Sequence, residues 1–137
     1  MAVNRDSQVH VRIQNSADIV AARQQGRALA ALAGFSHSNL TVIGTAIAEV
    51  ARNIVEHARE GEVVISLVDD ANKTGVEIVA SDQGPGIADV SMVMRDGDST
   101  GKGLCIGLHG AKRLMDEFAI VSVIGTGTTV TMKKWVV

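Results

Sequence analysis

Residues 80–88 read "ASDQGPGIA", an aspartate, two glycines and the chain's only proline set between an apolar strand and more apolar sequence. Glycine and proline are ordinary punctuation at a strand end, so a tight turn is the simplest account of the stretch taken alone. A second account takes the carboxylate and the glycines together. An ionised Asp82 only accepts hydrogen bonds, so it can read an exocyclic amine, while Gly84 and Gly86 let a flat ring lie against the backbone. Pro85 fixes φ between them and stiffens the turn. The rest of the chain weighs one against the other.

With 137 residues the chain can bury a core as one domain, without disulfides or structural metal. Hydrophobic residues make up 46% of it but aromatics only 2%, so Ala, Val, Ile, Leu and Met must build that core. A net charge of −2 and a pI near 6.0 leave no electrostatic footprint for nucleic acid or anionic membrane. The single cysteine, Cys105, excludes an internal disulfide and fits a reducing compartment. The opening "MAVNRDSQVH" lacks the apolar region of a signal peptide, and no apolar run is long enough to span a bilayer. The expected location is the cytoplasm, with no nucleic acid and no membrane among the partners. The histidines are scattered and show no zinc-ligand spacing, which argues against a metal site built from protein ligands alone.

Upstream of the quoted turn, "QVHVRIQ" alternates Val9, Val11 and Ile13 with polar residues, the period of a half-buried strand. Asn15 or Ser16 caps a predicted helix that Gly34 stops. A second helix is expected after Ser38, with Leu40, Ile43, Ile47, Val50, Ala51 and Ile54 recurring on one face. "EVVISLVDD" and "GVEIVAS" are β-rich runs joined by "DANKT", a hairpin or neighbouring strands. Downstream, "GKGLCIGLHGAKRLMDEF" leads through glycines into a helix with Leu104, Leu108, Ala111 and Met115 on one side. "AIVSVIGTGTTVTMKKWVV" closes the chain as two strands around a Gly-Thr turn. Helices gather early and strands late, which predicts an α+β two-layer sandwich with helices on one face of a mixed, mostly antiparallel sheet.

Glu49 and Asn53 are four residues apart on the second helix, so they stand one above the other. Counting about 100° per residue from Ile47 puts the pair nearly opposite the apolar stripe, with His57 one turn on. A solvated helix face explains this much. So does a carboxylate beside a neutral oxygen ligand, a pair able to hold one Mg²⁺ and orient a nucleophile, since Mg²⁺ takes few protein oxygens and fills its shell with water and substrate phosphates. Gly101, Gly103 and Gly107 offer backbone N–H groups and the positive end of a helix dipole to phosphates. Lys102 adds a charge there, or is simply exposed. "GTGTT" (125–129) is a hairpin turn in which Thr128 offers a hydroxyl.

In this order, E-x-x-x-N (Glu49–Asn53), D-x-G-x-G (Asp82–Gly86), G-x-G-L (Gly101–Leu104) and G-T-G-T-T resemble the four boxes of the GHKL ATPase/kinase family. The resemblance implies one Bergerat nucleotide domain over residues 1–137, with ATP between helices and sheet and a lid at about 88–102. It implies that Asp82 accepts from the adenine amino group, with Gly84 and Gly86 lining the base. Asn53 would coordinate Mg²⁺, and Glu49 would orient or deprotonate the attacking hydroxyl. Gly101, Lys102, Gly103 and the backbone after Leu104 would hold phosphates, with Thr128 at the adenine edge. Where such chains carry glycine this one has Cys105, expected at ordinary helical φ because the helix starts by Leu104.

Within the family, length and the lack of a phosphoacceptor-histidine module leave the free-standing bacterial serine/threonine kinases. "EVARNIVEHAR" and "DGDSTGKGLCIGLHGAKRLMDEFAI" look most like the switch kinase of the stressosome. That resemblance implies STAS-domain scaffold or antagonist proteins as substrates, and a PP2C-type phosphatase activated when the kinase is released. The alternative is an anti-sigma factor kinase that sequesters a sigma subunit and phosphorylates its STAS antagonist. A plain ATPase, with water replacing the protein hydroxyl at Glu49, is the third.

Overall fold

The computed structural model describes residues 8–87, 90 and 103–136. Five strands, β1 (Gln8–Ile13), β2 (Gly61–Asp70), β3 (Lys73–Asp82), β4 (Glu117–Val123) and β5 (Gly127–Trp135), form a sheet in the order β1-β2-β3-β5-β4. Every described pairing is antiparallel, so the expected α+β class holds and no parallel pair is found among these residues. Register follows from alternation: Val63, Ile65 and Leu67 of β2 lie opposite Ala80, Ile78 and Val76 of β3, and Val130 and Met132 of β5 continue the same row. All eight are buried, because a one-residue slip would turn the whole row to the other face.

Three helices, α1 (Ser16–Ala31), α2 (His37–His57) and α3 (Gly103–Leu114), make up the second layer of the described residues. Asn15 caps α1 in a reciprocal box: its Oδ1 accepts the Asp18 N–H at 3.2 Å, while Asp18 Oδ2 accepts the Asn15 N–H at 3.3 Å. α2 starts earlier than the expected position after Ser38, because Ser36 accepts the Asn39 N–H and takes the cap. Ile43, Ile47, Val50 and Ile54 of α2 are at most 1% exposed against the sheet, and each such side chain stabilises by about 1.5–3 kcal/mol relative to exposure. α1 reaches the same layer closely: a side chain on Gly26 would run into Ile47 of α2 and Ile65 of β2. Among the described residues no helix is long and apolar enough to cross a membrane.

The β2–β3 connection is tighter than the expected "DANKT" loop. Asp70 pairs with Lys73, so Ala71 and Asn72 alone make the turn, with Ala71 at φ 54. An L-residue in the left-handed region is strained by about 1–2 kcal/mol, and glycine is not. Ala71→Gly should therefore raise the urea midpoint, by a net gain of about 1 kcal/mol after the extra entropy of the unfolded chain. A lower midpoint would mean that the turn carries no such strain.

Candidate functional site

The inward-facing register of the sheet changes character at one end. On β3 it passes from Ile78 and Ala80 to Asp82, on β5 from Met132 and Val130 to Thr128, and on β4 from Ile120 to Ser122, which pairs with Thr128. Three polar side chains thus occupy positions that face the helices. They form one network. Asp82 Oδ1 accepts the backbone N–H of Gly84 at 2.9 Å and of Thr128 at 3.3 Å. The hydroxyls of Ser122 and Thr128 are 2.8 Å apart, and Ser122 Oγ accepts the N–H of Ile87 at 2.7 Å. Gly125 N–H donates to the Pro85 carbonyl at 2.9 Å, so the turn after β3 is fastened to the β4–β5 turn.

The glycines of that turn have a reason closer than a ligand. A Cβ on Gly84 would lie 2.6 Å from Ala58 Cβ, and one on Gly86, at φ 82, would lie 2.6 Å from the Val123 carbonyl oxygen. A side chain at either position would therefore meet protein. The glycines let the turn pack, and Gly86 of the packed turn lines a cleft. Pro85, Gly86 and Ile87 line that cleft together with Asn53, His57 and Ala58 at the end of α2, and with Asp82 and Thr128.

Asn53 corrects one expectation. The helical projection placed it with Glu49 on a polar face, yet it is only 8% exposed, because α2 packs against α1 and α3 as well as the sheet. Its side chain makes no hydrogen bond among the described residues while lining the cleft. Among the described residues no buried side-chain nitrogen or oxygen is left without a partner, so the amide carries no unmet penalty; it lines the cleft, where a ligand can meet it. Asp82 has the same character at one atom: Oδ1 takes both N–H bonds, and among the described residues Oδ2 takes none. The cap uses one oxygen of the carboxylate and leaves the other as an acceptor. Glu49, one turn before Asn53 on α2, is 27% exposed and bound to Arg52 at 2.8 Å.

Of the glycine-rich box, Gly101 and Lys102 lie outside the described residues, as does the expected lid of about 88–102 apart from Val90. Gly103 is the first residue of α3, and Leu104 and Cys105 follow with helical backbone, as expected for Cys105. The first-turn N–H groups have no partner within the helix and, with the dipole, suit an anion. Gly107 does not belong with them. It sits in the second turn of α3, where its N–H bonds back within the helix, so its expected role in holding phosphate is withdrawn.

Sequence reasoning missed Ser122, which joins Thr128 to the turn. The signal was there: in "FAIVSV" it is the one polar residue on the inward register of β4. A wider groove, about 680 Å³, opens beyond Asp82, where Arg12, Glu60, Glu62 and Gln83 are among its lining residues. Arg12 and Glu60 bond to each other there at 3.1 Å, and the guanidinium, with Gln14, holds the Glu60 carboxyl below its usual range. Arg12 and Glu60 are paired in that groove; the cleft beside Asn53 is smaller, about 10 Å³, and Asp82 borders both.

Comparison with known proteins agrees with this fold. The serine/threonine-protein kinase RsbT of Bacillus subtilis is 52% identical over 125 residues, 91% of this chain and 94% of that protein. The crystal structure of the RsbU and RsbW domains of a Mycobacterium tuberculosis protein superposes with TM-score 0.64 at 23% identity, over 93% of this chain and 32% of that one. A mycobacterial sensor histidine kinase, MprB, superposes with TM-score 0.55 at 18% identity, over 93% and 97%. The resemblance to a GHKL serine/threonine kinase of the RsbT kind is borne out. Residues 13–134 match the histidine kinase-like ATPase domain, and the chain belongs to that family of ATP-using domains.

Proposed function

We propose that the chain is a Mg-ATP-dependent serine/threonine protein kinase of bacterial stress signalling. It phosphorylates STAS-domain scaffold or antagonist proteins and, when released from them, activates a PP2C-type phosphatase. The observation that carries this is the 52% identity, along nearly the whole chain, to a serine/threonine-protein kinase. The cleft supports it. Asp82 Oδ2 is an acceptor for the adenine amino group, the unpartnered Asn53 amide is a ligand for Mg²⁺, and Glu49 one turn away acts on the incoming hydroxyl. Asn53 would hold Mg²⁺, which would supply charge neutralisation. Gly101, Lys102, Gly103 and the backbone after Leu104 hold the phosphates under a lid at about 88–102, within one domain of residues 1–137.

The RsbW-bearing structure, at 23% identity, shares the fold and adds no weight to an anti-sigma role. Capture of partners on the tagged chain tests the assignment. STAS and phosphatase proteins should be recovered, whereas a sigma subunit would replace it with the anti-sigma factor. Asn53→Ala tests the metal. It should weaken nucleotide binding in Mg²⁺ much more than in EDTA, since it removes a metal ligand and no base contact. Equal loss in both would mean that the helix was damaged.

A further inference from the structure

Glu49 is held at one of its oxygens and turns the other toward α3. Oε1 accepts a hydrogen bond from Arg52 Nη1 at 2.8 Å, from the next turn of α2. Oε2 faces α3, where a Cβ added at Gly107 would lie 3.1 Å away. Neither contact has a sufficient structural reason. Glu49 is 27% and Arg52 47% exposed, and an ion pair so open to water adds little to stability. At Gly107 the backbone is helical without positive φ, so alanine would be the better helix former. Beyond α3 itself, the described atom that comes near that Cβ position is Glu49 Oε2. Positive φ does not require glycine at 107, and among the described residues beyond α3 it is the carboxylate that comes near.

We propose that Arg52 and Gly107 are positioning residues for Glu49. Arg52 ties down Oε1 and so fixes where Oε2 points. The bare surface of Gly107 keeps open the space in front of Oε2 that the acceptor hydroxyl enters. This rests on the proposed role of Glu49 in phosphotransfer. The hydroxyl oxygen bonds to the γ-phosphorus of ATP while the bond from that phosphorus to the β–γ bridging oxygen breaks. ADP leaves with that electron pair, and the hydroxyl proton passes to Oε2. A carboxylate free to rotate, or one crowded by a methyl group, would meet the hydroxyl at the wrong angle, and small misplacements of this kind are expensive in rate.

The test is ADP formation from Mg-ATP with an acceptor STAS protein, for Arg52→Ala, Arg52→Lys and Gly107→Ala, each in the wild-type and the Glu49→Gln background. In the wild-type background Arg52→Ala and Gly107→Ala should lower kcat by about 10- to 100-fold with KM for ATP nearly unchanged. Arg52→Lys should recover part of the loss, and Gly107→Ala should melt no lower than wild type. In the Glu49→Gln background neither substitution should cost anything further, because each acts through the carboxylate. Equal losses in both backgrounds, or wild-type kcat for Arg52→Ala and Gly107→Ala beside an impaired Glu49→Gln, would overturn the positioning role and leave that of Glu49 standing. Wild-type turnover in Glu49→Gln itself would remove both.

Discussion

Glu49→Gln should bind Mg-ATP as the wild type does and transfer its phosphate about 10²–10⁴-fold more slowly, the usual loss when a positioned general base is removed. Glutamine keeps the size and the hydrogen bond from Arg52, through its amide oxygen, but it cannot take a proton. Glu49 lies outside the cleft that Asp82 and Thr128 line, and it lines no part of that cavity. Its loss should therefore fall on the chemical step and spare nucleotide affinity. Titration of nucleotide by calorimetry, beside single-turnover phosphotransfer, separates the two. Parallel losses in affinity and rate would mean that the substitution disturbed α2, not the chemistry.

Asp82→Asn should lose ATP affinity by about 10- to 100-fold, the cost of one hydrogen bond to a charged acceptor. The two oxygens of Asp82 make this substitution selective. The asparagine carbonyl can take over the N–H bonds from Gly84 and Thr128, which leaves the amide NH₂ where Oδ2 stood. A donor there opposes the adenine amino group and suits the carbonyl of guanine, so the preference for ATP over GTP should narrow. The melting temperature without ligand should stay near that of the wild type. Asp82→Ala, which deletes the cap as well, should melt lower. An unchanged ATP-to-GTP ratio in a folded Asp82→Asn variant would reduce Asp82 to a turn cap.

The parts legible in the sequence were those governed by one partner at a time. Period-two alternation in "QVHVRIQ" found β1, and Asn15 found the start of α1, because a strand facing one core and a cap facing one N–H are local matters. Glu49 and Asn53 were found together because helical spacing alone stacks them. Burial of Asn53 was not legible, since a projection from Ile47 sees the sheet and cannot see α3 arriving on the other side. The packing around the glycines was hidden for a related reason. Gly84 and Gly86 are pressed by Ala58 and Val123, and Gly107 faces Glu49, contacts between distant segments that no local pattern reports. Ser122 was legible in principle and hidden by its apolar neighbours.

One measurement bears on the central claim most directly: transfer of γ-labelled phosphate from ATP to a purified STAS-domain protein, in Mg²⁺ and in EDTA, by wild-type chain and by Glu49→Gln. The account predicts labelled serine or threonine on the STAS protein with wild type in Mg²⁺, almost none in EDTA, and almost none with Glu49→Gln. Release of free phosphate with no label on any protein would contradict it and make the chain an ATPase.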